Sequence, residues 1–107
     1  MIAGRKHWTF FTNHFHVLLV VARHPDARLR SVADEVGITE RAAHRILGDL
    51  AAEGYVVVTK QGRRNHYRLK SGITLRHEAN SGVPLEPLIS LVNEDARDLH
   101  PQIVEDR

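Results

Sequence analysis

Between Arg30 and Tyr55 the chain reads RSVADEVGITERAAHRILGDLAAEGY, two short helical patterns on either side of one glycine, Gly37. Ala33 offers a small side chain where two helices must touch, Gly37 stands where the chain must turn, and Ala43 and Ile46 supply the apolar side of the second helix. Thr39 is a suitable N-cap for that second helix, and Glu40 in its first turn complements the helix dipole. Ala43, Ile46, Leu47 and Leu50 then fall at i, i+3, i+4 and i+7, a single apolar stripe that ends at Gly54 in the C′ position. The opposite face carries Glu40, Arg41, His44 and Arg45.

The flanking segments read as the rest of one small domain. Thr12 and Asn13 are N-cap residues for a helix whose Phe15 and Val17 to Ala22 are apolar around most of the circumference, so it must be covered on more than one side. It is expected to end near His24, because Pro25-Asp26 favours a turn. A short extended piece, Ala27 to Arg30, leads into a helix running to about Val36, with Val32, Ala33 and Val36 inward and Ser31 with Asp34 as a capping box. Tyr55 to Lys60 and His66 to Lys70 read as strands, and the intervening Gln61-Gly62-Arg63-Arg64-Asn65 as a hairpin with a basic tip. After Lys70, glycines, serines and prolines mark a loop-rich connector. From Leu85 to Leu99, the residues Leu85, Leu88, Val92, Ala96 and Leu99 recur at helical spacing.

A chain of 107 residues buries one core, not two. It contains no cysteine, which removes disulfides, thiolate metal sites and a cysteine nucleophile, and fits a reducing cytoplasm. Arg5 and Lys6 precede an apolar run in the manner of a signal peptide, but Asn13, His14 and His16 interrupt it. The unbroken segment Val17 to Ala22 is far below the ~20 residues of a membrane span. A soluble, cytoplasmic protein without membrane contact is expected. Its net charge is only +2, yet residues 1–70 hold twelve Lys/Arg against six Asp/Glu, and residues 71–107 three against seven. A basic body followed by an acidic tail suggests a polyanion as partner of the body.

Helix, helix, turn, helix and basic hairpin in this order make the winged-helix arrangement. The chain resembles small winged helix-turn-helix transcriptional regulators of the MarR and ArsR type, through WTFFTNH near the start, GITERAAHRILGDL in the middle and GRRNHYRL in the hairpin, over roughly residues 8–76. The expected fold is therefore α+β, mainly α, with a two- or three-stranded wing sheet and an extra C-terminal helix. Residues 1–76 would form the DNA-binding domain, and residues 77–107 a connector and dimerisation helix. The resemblance implies a sequence-specific regulator of double-stranded DNA, with repression as the expected mode, and leaves room for a small-molecule effector. In such families the terminal helices form a two-fold dimer, and the interface here would draw on Trp8, Phe11, Phe15, Leu19, Leu85, Leu88, Val92 and Leu99; the alternative is that the C-terminal helix folds back on its own protomer.

The third helix fits the major groove, with residues near its N-terminus reaching base edges: Thr39, Glu40, Arg41, His44 and Arg45. Arg41 and Arg45 are four apart, hence on one face, and either can pair bidentately with guanine. Arg63 and Arg64 would meet the minor groove, while Lys60, Asn65 and Arg68 would hold phosphates. The alternative is a winged helix serving protein–protein contact or assembly without specific DNA binding, because fold alone does not fix function. Eight histidines raise the question of a metal sensor. His14 and His16 are two apart and point to different sides of a helix, unlike an i, i+4 ligand pair, although His77, Glu78 and His100 can approach one another in a fold. Neither metal nor cofactor is expected. Ser31, Ser71, Ser81 and Ser90 lack an activating motif and no glycine-rich phosphate loop opens a helix, so an enzyme is not expected either.

Overall fold

The computed structural model describes residues 8–99, with side chains described through Glu94. Helix α1 (Asn13–Arg23) begins where Thr12 Oγ1 accepts the Phe15 N–H at 3.2 Å, and its last turn closes at His24, directly before Pro25. Its Val17, Leu18, Leu19, Val20 and Val21 are all buried, so the helix that looked apolar nearly all round is the central post of the fold. Helix α2 (Leu29–Val36) and helix α3 (Glu40–Ala52) pack on it and on each other.

The turn between α2 and α3 follows from Gly37. Its φ of +85° lies in the left-handed region, which lets both the Gly37 and Ile38 N–H groups reach back to the Ala33 carbonyl at 2.8 and 3.0 Å. A Cβ at this position meets nothing within 4 Å, so the requirement for glycine is one of backbone conformation alone. Thr39 caps α3 as its residue type suggests, Oγ1 accepting the Ala42 N–H at 3.0 Å. Thr39→Ala is expected to cost about 1 kcal/mol in urea unfolding, and Thr39→Ser to leave the midpoint nearly unchanged. At the far end of α3 the Tyr55 N–H returns to the Leu50 carbonyl at 2.8 Å.

Strands β1 (Val56–Gln61) and β2 (Arg64–Leu69) form a two-stranded antiparallel sheet, with Val56 opposite Leu69 and Gln61 opposite Arg64. The loop is shorter than the sequence suggests, only Gly62 and Arg63, and Arg64 and Asn65 belong to β2. Gly62 at φ +69° followed by a residue of negative φ is the backbone of a two-residue turn that continues the strand twist. No third strand joins the sheet among the described residues; in its place the Pro25 carbonyl takes one hydrogen bond from the Tyr67 N–H at 2.8 Å. The segment before α2 is accordingly irregular, and α2 starts two residues earlier than Ser31. Ser31 lies inside the helix, Arg28 is the N-cap without a side-chain bond, and the expected capping box is absent.

The connector returns on itself. The Leu85 N–H donates to the Ile73 carbonyl at 3.0 Å and the Leu75 N–H to the Val83 carbonyl at 2.9 Å, around a short 3-10 turn at Glu78–Asn80. This excursion brings Ile73 and Leu85 into the same core and delivers helix α4 (Glu86–Leu99) to α1. Ile89 is buried there, and the buried Asn93 donates its side-chain N–H to the Leu19 carbonyl at 3.3 Å. Leu19 and Leu85, expected at a dimer contact, are thus 7% and 3% exposed within their own chain and offer little surface to a partner. A helix as apolar as α1 needs cover from several sides, and α4 of the same chain provides one of them.

Candidate nucleic-acid interface

The inner side of α3 is fixed by Ala43, Ile46, Leu47 and Leu50, all buried against α1 and α2. Helical periodicity then leaves Glu40, Arg41, His44 and Arg45 exposed on the outer side. Among the described residues, no ion pair or side-chain hydrogen bond engages Arg41, His44 or Arg45. Thr39 is exposed at the head of the helix, with its oxygen already accepting from the backbone. Glu40 is also engaged, by Arg30 Nε of α2 at 3.4 Å. That pair sets a cation from the first turn of α2 beside the first turn of α3, a residue that sequence reading did not include. Its place follows from the start of α2 at Leu29, which puts Arg30 in the first turn, and no local pattern in the sequence marked that start.

The basic hairpin is anchored rather than free along its length. His66 Nδ1 meets Asp26 Oδ1 at 2.6 Å, and an Arg64 guanidinium N–H donates to the Asp26 carbonyl at 3.0 Å. Together with the Tyr67 bond to Pro25, these contacts hold β2 against the loop before α2. Arg64 therefore sits at the flank, lining a polar groove with Arg28, Ser31 and Asp26, while Arg63 occupies the turn itself.

Strand alternation divides the remaining wing residues. Lys60 and Asn65 are paired across the sheet and share the face that carries Val56 and Tyr67 into the core further down. Arg64, His66 and Arg68 lie on the other face. All but His66 of these are exposed, but the five expected wing contacts do not form one surface. Of the expected dimer residues, Trp8 is 79% exposed and Phe11, Phe15, Leu88 and Val92 are half-buried; the side chain of Leu99 lies outside the described residues.

The histidines are distributed through these structural contacts. His66 pairs with Asp26, His14 Nε2 meets Asp49 Oδ2 at 2.9 Å, and His77 Nδ1 accepts the Ala79 N–H at 3.0 Å. His100 lies outside the described residues. Among the described residues, no three His, Asp or Glu side chains are grouped as a metal ion would need, and no helix is long and apolar enough to cross a membrane.

Comparison with known proteins follows the same lines as the geometry. Residues 12–59 match the family model described as the IclR helix-turn-helix domain, a span from the cap of α1 to the middle of β1. A solved structure, FabT of Streptococcus pneumoniae in complex with DNA, is similar with a TM-score of 0.51 and 19% identity over 87% of this chain. The chain spans 56% of that protein's length in the structure. A comparison with curated proteins gives no match. The finer likeness to the MarR and ArsR types stays a resemblance. By fold, the chain is a winged helix-turn-helix protein whose first three helices are similar to the IclR helix-turn-helix domain.

Proposed function

We propose that this protein is a sequence-specific, double-stranded DNA-binding transcriptional regulator, with α3 in the major groove and the wing beside the minor groove. The observation that carries this reading is the outward face of α3. Arg41, His44 and Arg45 are solvent-exposed and without a side-chain partner among the described residues, while the same helix is locked into the core by its other side. Charge on a helix face is ordinarily just solvated surface. Here Arg30 of α2 stands beside the first turn of α3, and the wing adds Arg63, Arg64 and Arg68, so that several cations accompany the face; such clustering is the footprint of a polyanion.

The DNA in the complex of similar fold belongs to that other protein and adds support to the reading without assigning residues. In this reading the contacts divide by type. Arg41, His44 and Arg45 read bases, Arg63 meets the minor groove, and Arg28, Arg30, Lys60, Arg64 and Arg68 hold phosphates.

The protein acts as a homodimer and as a repressor in this reading. For the dimer, the support is apolar surface left uncovered in one chain: Trp8, Phe10 and, on α4, Leu91 are 79%, 88% and 56% exposed. Residues 77–107 with the aromatic N-terminal segment supply the contact, and two recognition helices then meet half-sites ~34 Å apart. The repressor role rests on the family resemblance alone, and a cytoplasmic location goes with it. Sedimentation of the free protein, followed by fluorescence anisotropy on a duplex selected from a random pool, tests the assignment. With about six phosphates neutralised by each protomer of the dimer, log K should fall against log salt with a slope of about −11, and by about two units less after Arg68→Ala, which removes one contact from each protomer. Equal, salt-insensitive affinity for every duplex would instead favour a protein–protein module.

A further inference from the structure

A cleft of about 480 Å³ opens between the head of α1, the last two turns of α3 and the connector. Its floor is Phe15, Leu18, Leu50, Leu75 and Leu85, an apolar surface of the size and character that small organic ligands occupy. Its rim is polar and consists of pairs. His14 Nε2 meets Asp49 Oδ2 at 2.9 Å, and Arg76 Nη1 meets Glu53 Oε1 at 2.7 Å.

The charges of this rim do not cancel in kind. Asp49 on α3 and Glu53 at its C-cap stand four apart, and both line the opening. Arg76 is the permanent cation, and it is engaged twice: by Glu53, and by the ring of Tyr55, whose centroid lies 5.4 Å from the guanidinium carbon. The Glu53 hydrogen bond and charge raise the proton affinity of Arg76 above its ordinary value. Asp49, by contrast, meets only the His14 imidazole among the described residues, and no guanidinium or ammonium group. The rim thus carries one carboxylate without a permanent counter-charge, directly above an apolar floor.

We propose that this cleft binds a small cationic amphiphile, its apolar body on Leu18, Leu50 and Leu75 and its ammonium on Asp49, and that its occupancy alters DNA affinity through α3. The second half rests on the DNA-binding reading above; the first does not. Asp49 is in the third turn of the helix that carries Arg41 in its first turn and Arg45 in its second, so a ligand that takes the carboxylate from His14 releases a contact between α3 and α1. An anionic ligand finds the reverse: a guanidinium already held by Glu53, and a second carboxylate nearby.

Three naphthalene probes of one shape separate the chemistry: 2-naphthylmethylamine, 2-naphthalenemethanol and 2-naphthoate, titrated into the full-length protein without DNA and followed by two-dimensional NMR. The amine should bind most tightly and the acid least, with the largest shifts at Leu50, Tyr55 and Leu75. Asp49→Asn, an exposed and conservative change, should weaken the amine about tenfold or more and leave the alcohol within twofold. Equal binding of all three, a preference for the acid, shifts elsewhere on the surface, or no binding would overturn the site. Saturating amine should change affinity for the selected duplex at least fivefold. Unchanged affinity overturns the coupling and leaves the site standing, whereas a protein that binds the amine but no duplex marks failure of the DNA reading, not of the cleft.

Discussion

Arg41→Ala together with Arg45→Ala should lower affinity for the selected duplex by about thirtyfold to twenty-five-thousandfold for each half-site while the melting temperature stays within a degree or two. Each bidentate arginine–guanine pair contributes about 1–3 kcal/mol of discrimination, so two contribute about 2–6 kcal/mol if both are made. Stability is untouched for a local reason. Both side chains are exposed and make no ion pair or side-chain hydrogen bond among the described residues, and alanine is the best helix former. Affinity for unrelated duplex should fall far less, since phosphate contacts from Arg28, Arg30 and the wing remain. Competition anisotropy with selected and scrambled duplexes, beside a thermal melt, reads both quantities. A double variant that still prefers the selected sequence would remove α3 from the role assigned to it.

The exposure of that arginine face was legible because it is a local property of periodicity. Once Ala43, Ile46, Leu47 and Leu50 define the inner side of α3, Arg41, His44 and Arg45 have nowhere to go but outward, whatever the rest of the chain does. The ends of α1 and α3 were legible for a similar reason: Thr12, Thr39, Pro25 and Gly54 act on groups within a few residues of themselves. Helix α2 shows the limit. Ser31 is the better capping residue by type, but the half-buried Ala27 and Leu29 pack against the core, and that tertiary requirement starts the helix earlier with Arg28 at its cap. Propensity near a terminus is worth about 1 kcal/mol and yields to burial of a leucine.

The wing and the tail depended still more on distant contacts. Near the hairpin tip both strands are polar, so no buried stripe fixes the register and the pairing of Gln61 with Arg64 was not readable. The tethers of Arg64 and His66 to Asp26 span 38 and 40 residues, which no local pattern encodes. The apolar excess of α1 and α4 was plain in the sequence; which chain covers it was not, since helical stripes match equally well within one chain and between two. Burial of Leu19, Leu85 and Asn93 assigns part of that excess to the chain's own fold. What remains outside, Trp8, Phe10 and Leu91 above all, is what a dimer would have to use.

Ile46→Ala is expected to do the opposite of the arginine pair. Ile46 is 2% exposed on the inner side of α3, and its truncation should cost about 2–5 kcal/mol, from lost transfer energy plus the cavity left behind. Against a typical domain stability of about 5–15 kcal/mol this is a large fraction, and a fall in melting temperature of about 10 °C or more follows. At a temperature where circular dichroism still reports a folded chain, the affinity for the selected duplex should nevertheless stay within a fewfold of the parent. The base-reading groups are intact and α3 retains Ala43, Leu47 and Leu50 to hold its inner side. Affinity should collapse only as the folded fraction does, along the same curve. The two variants therefore separate what holds α3 in place from what α3 presents. If the folded Ile46→Ala protein lost binding as completely as the arginine variant, recognition would depend on the frame of the helix rather than on its guanidinium groups, and the assignment of Arg41 and Arg45 as base readers would fail with it.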